Sequence, residues 1–235
     1  KGTILLPGAG GGSNWHGGAI DPETGILYVP SRTSPTLVTL NVPDPERSDF
    51  RFRGGTGGVP GPRGLPLFKP PYGTMSAIDL DRGEITWQVP HGETPDAVRN
   101  HAALQGMNIP RTGQPGFIVG TLVTKSLVIA GDPQVTTLTN RPRGAMLRAY
   151  DKKTGANLWQ AAMPAGPATG IPMTYMFQGK QYIVHAARGP QGAGAQLVAW
   201  TITPPPPAGG GGRGGRGGAP GGGGRGGRGG APQTP

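Results

Sequence analysis

"LRAYDKKTGANLWQ", residues 147–160, and "SAIDLDRGEITWQ", residues 76–88, follow one pattern. In each, an aspartate (Asp151, Asp79) opens a turn, and a glycine (Gly155, Gly83) can supply the positive φ of a tight hairpin. Trp159 and Trp87 fall on the returning strand, where a large ring packs between layers. A weaker version, "AIDPETGILYVP", keeps Ala19, Asp21 and Gly25 at the same spacing and puts Tyr28 in the aromatic place. Three related hairpins with irregular insertions imply stacked β-units, none of which can bury its own face alone. Propellers and β-solenoids behave this way.

The rest of the chain agrees with an all-β class. Short β-branched runs recur at Thr3–Leu6, Ile26–Val29, Thr36–Val42, Phe117–Val123, Ser126–Ala130, Gln181–His185 and Gln196–Ile202. Gly, Pro, Asn or Asp bound most of them. "RGGTGGVPGPRGLPLFKPPYG", residues 53–73, is rich in chain breakers and is expected to be a surface insertion without strand or helix. Residues 94–103 are the one expected short helix, with Thr94 as N-cap and Pro95 at the first helical position.

Gly at 46 and Pro at 28 make up nearly a third of the 235 residues. Much of that excess lies in residues 204–235, which carry too little apolar side chain to repay the entropy of folding and are expected to be disordered. Residues 1–203 are then the folded body. Four of the net +10 charges, Arg213, Arg216, Arg225 and Arg228, belong to the tail. A basic body is compatible with nucleic acid, anionic lipid or an acidic partner and selects none of them. Absence of cysteine excludes disulfides, thiolate metal sites and a cysteine nucleophile. No run approaches the ~18 apolar residues of a membrane span. The opening "KGTILLPGAGGGSNW" reads as the interior of a longer chain.

The two tryptophan hairpins resemble the tryptophan-docking repeats of quinoprotein dehydrogenases, which use pyrroloquinoline quinone (PQQ). "GGSNWHGGAIDPETGILYVPS", "GTLVTKSLVIAG" and "PMTYMFQGKQYIVHAA" are similar to segments that follow one another in the C-terminal half of those enzymes, and the likeness spans about residues 8–202. The glucose-dehydrogenase-like branch matches better than the methanol branch. Arg82 and "AARGPQG" depart from the pattern, both at turns. The resemblance implies a β-propeller of four-stranded antiparallel blades, eight in the parent family, with about three to four in this chain. It implies oxidation of an alcohol or aldose in the periplasm and transfer of electrons to a quinone or cytochrome acceptor. It also implies Ca²⁺ held mainly by residues outside this chain, and a partner that supplies the N-terminal propeller half. Alone, this portion is then expected to be inactive. No catalytic residue and no metal ligand is assigned here; the cofactor-binding candidates are Asn14 and Trp15.

Other chemistry is weaker. His16 reads as a solvent-facing loop residue, and His91, His101 and His185 lack metal-ligand spacing. Asp79 and Asp151 recur at one hairpin position and read as turn formers. "GAGGGSNW" lacks the Lys-Ser/Thr of a phosphate loop. "GGGGRGGRGGAP" occurs at 209–220 and 221–232. Such RGG segments bind RNA or anionic surfaces, but four charges without an aromatic residue give weak, salt-sensitive affinity. The tail is therefore read as a flexible solubilising extension. An RGG-tail nucleic-acid-binding protein is the alternative function, and a non-catalytic propeller scaffold is the third.

Overall fold

Alternation of apolar residues in short segments produces strands, and the segments assemble into stacked sheets. The computed structural model describes residues 2–116, 119–138, 141–164, 166, 170–187 and 194–201. These lie in one unit, Lys1–Ile202; the Pro/Gly/Arg-rich tail lies outside the described residues. In chain order the strands are β1 (Gly2–Leu5), β2 (Ala19–Asp21), β3 (Ile26–Arg32), β4 (Thr36–Asn41), β5 (Arg53–Gly58), β6 (Gly73–Asp79), β7 (Glu84–Pro90), β8 (Thr121–Val123), β9 (Leu127–Gly131), β10 (Thr136–Leu138), β11 (Arg141–Gly144), β12 (Met146–Asp151), β13 (Asn157–Ala162), β14 (Met173–Phe177), β15 (Lys180–Ala187) and β16 (Gln196–Thr201).

Two sheets are complete four-stranded antiparallel blades, ordered β2-β3-β6-β7 and β8-β9-β12-β13 from one edge to the other. A third has β14-β15-β16. The first blade carries an insertion between its second and third strands: the β4–β5 hairpin, which pairs with β1 in a separate sheet. The second blade carries the shorter β10–β11 ribbon at the same place.

Side chains of successive residues point to opposite faces of a strand, so the middle blade contacts both neighbours. Val128, Ala130 and Tyr150 join Tyr28, Met75 and Ala77 of the first blade in one apolar cluster. Ile129, Leu147 and Ala149 join Met163 and Ala187, with Ile183, Val198 and Trp200 packed against them. Covered on both faces, β9 is a continuous apolar run, as expected of a strand buried on two sides, and β12 is buried from Met146 to Tyr150 with one charged residue, Arg148, among them.

The tryptophan hairpins are the third and fourth strands of successive blades, so the repeat is one blade long. Ala77 lies opposite Trp87 and Ala149 opposite Trp159, and a bulge follows at the same step in both. The "AIDPETGILYVP" copy occupies a different place, the first hairpin of its blade, β2–β3. Trp87 is half-buried against the next blade's turn: its Nε1 donates to Lys152 O at 3.1 Å and its ring centroid lies 5.8 Å from that of Tyr28. A Cβ built on Gly155 would stand 2.6 Å from Cε3 of Trp87, so only glycine lets the ring seat there. Burial equal to that of Trp87 is not found for Trp159, which is 41% exposed and meets Trp200 edge-on at 6.5 Å. The third sheet presents no corresponding turn among the described residues.

Two further expectations are corrected. Residues 53–58 form β5, because a Gly-rich backbone has full pairing capacity and needs no side chain to reach β4. The helix shrinks to α1 (Asp96–Arg99), and Thr94 does not cap it; its Oγ1 accepts from Thr112 N at 3.2 Å instead.

Candidate functional site

Antiparallel strands divide the connections between two ends of the stack. One end holds tight turns only: 22–25, 80–83, 124–126, 152–156 and 178–179. Asp21, Asp79 and Asp151 serve there as turn formers: Asp79 Oδ1 accepts from Asp81 N at 3.0 Å, and Asp151 Oδ1 accepts from Thr154 N at 2.8 Å. Asp21 also meets Lys152 Nζ across the blade boundary at 2.7 Å, and that hydrogen bond holds its carboxyl below the usual range. The connections 33–72, 91–120 and 132–145 within and between the first two blades leave from the opposite end. Scaffolded loops of this kind are where binding groups gather.

The loop entering β2 is fixed to that end through its glycines. Arg32 N donates to Gly12 O at 2.8 Å and Arg32 Nε to Gly11 O at 3.2 Å; Ser13 Oγ donates to Pro30 O at 2.9 Å. A Cβ on Gly8 would lie 2.1 Å from Ser34 O, so the close approach needs glycine. Asn14 and Trp15 sit at the outer bend of this anchored loop. Asn14 Oδ1 accepts from Trp15 N at 2.8 Å, and Asn14 Nδ2 donates to Gly10 O at 3.2 Å. One Nδ2 hydrogen and one Oδ1 lone pair of Asn14 remain for other partners. Trp15 is 98% exposed, an indole presented on a braced backbone. His16 beside it is exposed.

A second cluster at this end was not legible as a site. Arg148 on β12 is fully buried. Its Nε donates to Asp132 Oδ1 at 2.5 Å, Nη2 to Asp132 Oδ2 at 2.9 Å and to Glu93 Oε1 at 2.8 Å, and Nη1 to Gln160 Oε1 at 2.7 Å. Burial alone would lift the Glu93 carboxyl, but the Arg148 hydrogen bond and the charges of Arg148, Arg99 and Arg111 hold it below its ordinary value. The signal was a guanidinium at a core-facing position of an otherwise apolar strand, which requires buried partners. Beside it His91 is buried, with Nε2 2.9 Å from Gly131 O and Nδ1 2.9 Å from the Tyr150 hydroxyl. A carbonyl only accepts, so Nε2 carries the hydrogen and Tyr150 donates to Nδ1. Burial drops the His91 pKa to about 4 and raises that of Tyr150. The cluster is a structural clamp between blades. Among the described residues no three His, Asp or Glu side chains converge on a metal-sized site.

Residues 1–183 match the PQQ glucose/ethanol/alcohol dehydrogenase β-propeller domain. The chain belongs to that family. It is 30% identical over 229 residues to the quinate/shikimate dehydrogenase (quinone) of Acinetobacter baylyi, covering 85% of this chain and 26% of that protein. It is 30% identical over 225 residues to the quinoprotein glucose dehydrogenase of Escherichia coli, covering 86% of this chain and 26% of that protein. The chain thus spans about a quarter of the length of these relatives. The quinohemoprotein alcohol dehydrogenase of Comamonas testosteroni superposes with a TM-score of 0.52 at 22% identity, over 79% of this chain and 24% of that structure, a likeness of fold. This quinoprotein propeller chain supplies two complete blades and the three described strands of another. No helix among the described residues is long and apolar enough to cross a membrane.

Proposed function

We propose that the chain forms the C-terminal part of a periplasmic propeller that oxidises an alcohol or aldose with PQQ and passes the electrons to a quinone or cytochrome. The observation that carries this reading is Trp15, a braced and fully presented indole at the long-connection end of a quinoprotein propeller. The residues fit PQQ, a planar tricarboxylate. An indole adds an apolar surface and an N–H donor, and the free amide hydrogen of Asn14 suits a carboxylate or quinone oxygen. Glycines at 10–12 keep side chains off the approach.

PQQ, when bound, supplies the two-electron acceptor; binding and orientation are the work of this chain's residues. The hydrogen bond from Trp15 N holds the Asn14 amide in place, and Arg32 holds the loop against β3, so both groups meet a ligand with little further ordering. Trp15 also excludes water from the face it covers. Ca²⁺ would be held mainly by residues outside this chain. Among the described residues β16 lies at an edge of its sheet, and the rest of the propeller is the partner that covers it.

The test is dye reduction by the whole propeller after loading with PQQ and Ca²⁺, with glucose, glycerol and quinate offered separately. Reduction that requires both PQQ and one of these substrates is expected. PQQ binding without turnover of any alcohol or sugar would overturn the dehydrogenase reading in favour of a scaffold.

A further inference from the structure

The connection from β7 to β8 lines an open cavity of about 980 Å³, to which Met146 of β12 and Gln160 of β13 also contribute. That volume holds a small organic ligand. The Asn14–Trp15 loop contributes nothing to its walls.

Its charges do not balance. Asp132 and one oxygen of Glu93 are consumed by Arg148, and the other oxygen of Glu93 takes Arg99 Nη2 at 3.2 Å. Arg111 also lines the cavity, half-buried, and has no hydrogen-bond or ion-pair partner among the described residues. Three guanidinium groups thus face two carboxylates, a deficit of one negative charge. The same lining carries the exposed amides of Asn100, Gln105 and Asn108, none with a side-chain hydrogen bond among the described residues. A guanidinium fork reads a carboxylate in two parallel hydrogen bonds, and neutral amides both donate to and accept from hydroxyls.

We propose that this cavity binds a small hydroxylated monocarboxylate, with its carboxylate on Arg111 and its hydroxyls on the amide wall. The charge deficit sets the anion, and the uncommitted amides set the hydroxyls.

Calorimetric titration of the full chain with D-gluconate, D-gluconamide and inorganic phosphate tests this. Gluconate should bind, with gluconamide and phosphate each about tenfold weaker or more, since one lacks the charge and the other the hydroxyls. Arg111→Gln, which breaks no hydrogen bond or ion pair among the described residues and should leave the protein folded, should weaken gluconate about tenfold or more; Arg111→Lys should recover part of the loss. Absence of gluconate binding to the folded protein, or equal binding by Arg111→Gln, would overturn the proposal. Phosphate binding as tightly as gluconate would reduce the site to a general anion site. Displacement of gluconate by PQQ would assign Arg111 to the cofactor and overturn it as well.

Discussion

Arg148 and His91 show how single side chains decide the join between the first two blades. A buried ion pair adds little over an apolar replacement, but removing one partner strands a charge at a cost of about 3–5 kcal/mol. Asp132→Ala should therefore lower stability by about that amount in urea unfolding, and Asp132→Leu with Arg148→Met should recover most of it. His91 gives a pH signature. Its folded pKa of about 4 lies below its ordinary 6.5, so the folded state resists protonation. The stability it contributes is complete above pH 6.5 and is lost as pH falls toward 4, to a limit of about 3 kcal/mol. A His91→Asn variant should show a flatter stability profile across that window; an unchanged slope would remove His91 as the cause. Tyr28 does not titrate there, because burial first, then Asp21 and Asp151, push its hydroxyl up to about 12. It stays a donor to Lys152 O at 3.1 Å.

Among the elements, the β6–β7 hairpin is the joint and β12–β13 its waiting counterpart. Trp87→Ala removes the ring packed on Gly155 and Tyr28 and should cost about 3 kcal/mol, whereas Trp159→Ala in this chain should cost less than about 1. Equal losses in denaturant titration would contradict the docking geometry. Gly155→Ala should cost on the order of 2 kcal/mol, from its φ of +72° and its closeness to Trp87. Both hairpins were readable from sequence because turn, spacing and aromatic lie within one short stretch. Strand β5 was not, because glycines carry no alternation to read. The Arg148 cluster was not, since Asp132 and Glu93 stand 16 and 55 residues from it. Asn14 and Trp15 were picked out by likeness to the family; spacing alone would have left them as a loop.

At the scale of the molecule, antiparallel blades sort tight turns to one end and long connections to the other, so the candidate binding groups share one face without any single strand encoding them. The central claim is that this face, through Asn14 and Trp15, meets PQQ. The most direct measurement is the dissociation constant of PQQ from the whole propeller, by equilibrium dialysis, for the parent, Asn14→Ala and Trp15→Ala. Trp15 makes no packing contact that folding needs, so Trp15→Ala should melt like the parent while PQQ affinity falls about tenfold or more; Asn14→Ala should weaken PQQ in the same direction. Parent-like PQQ affinity in both variants would contradict the account and leave this chain as scaffold.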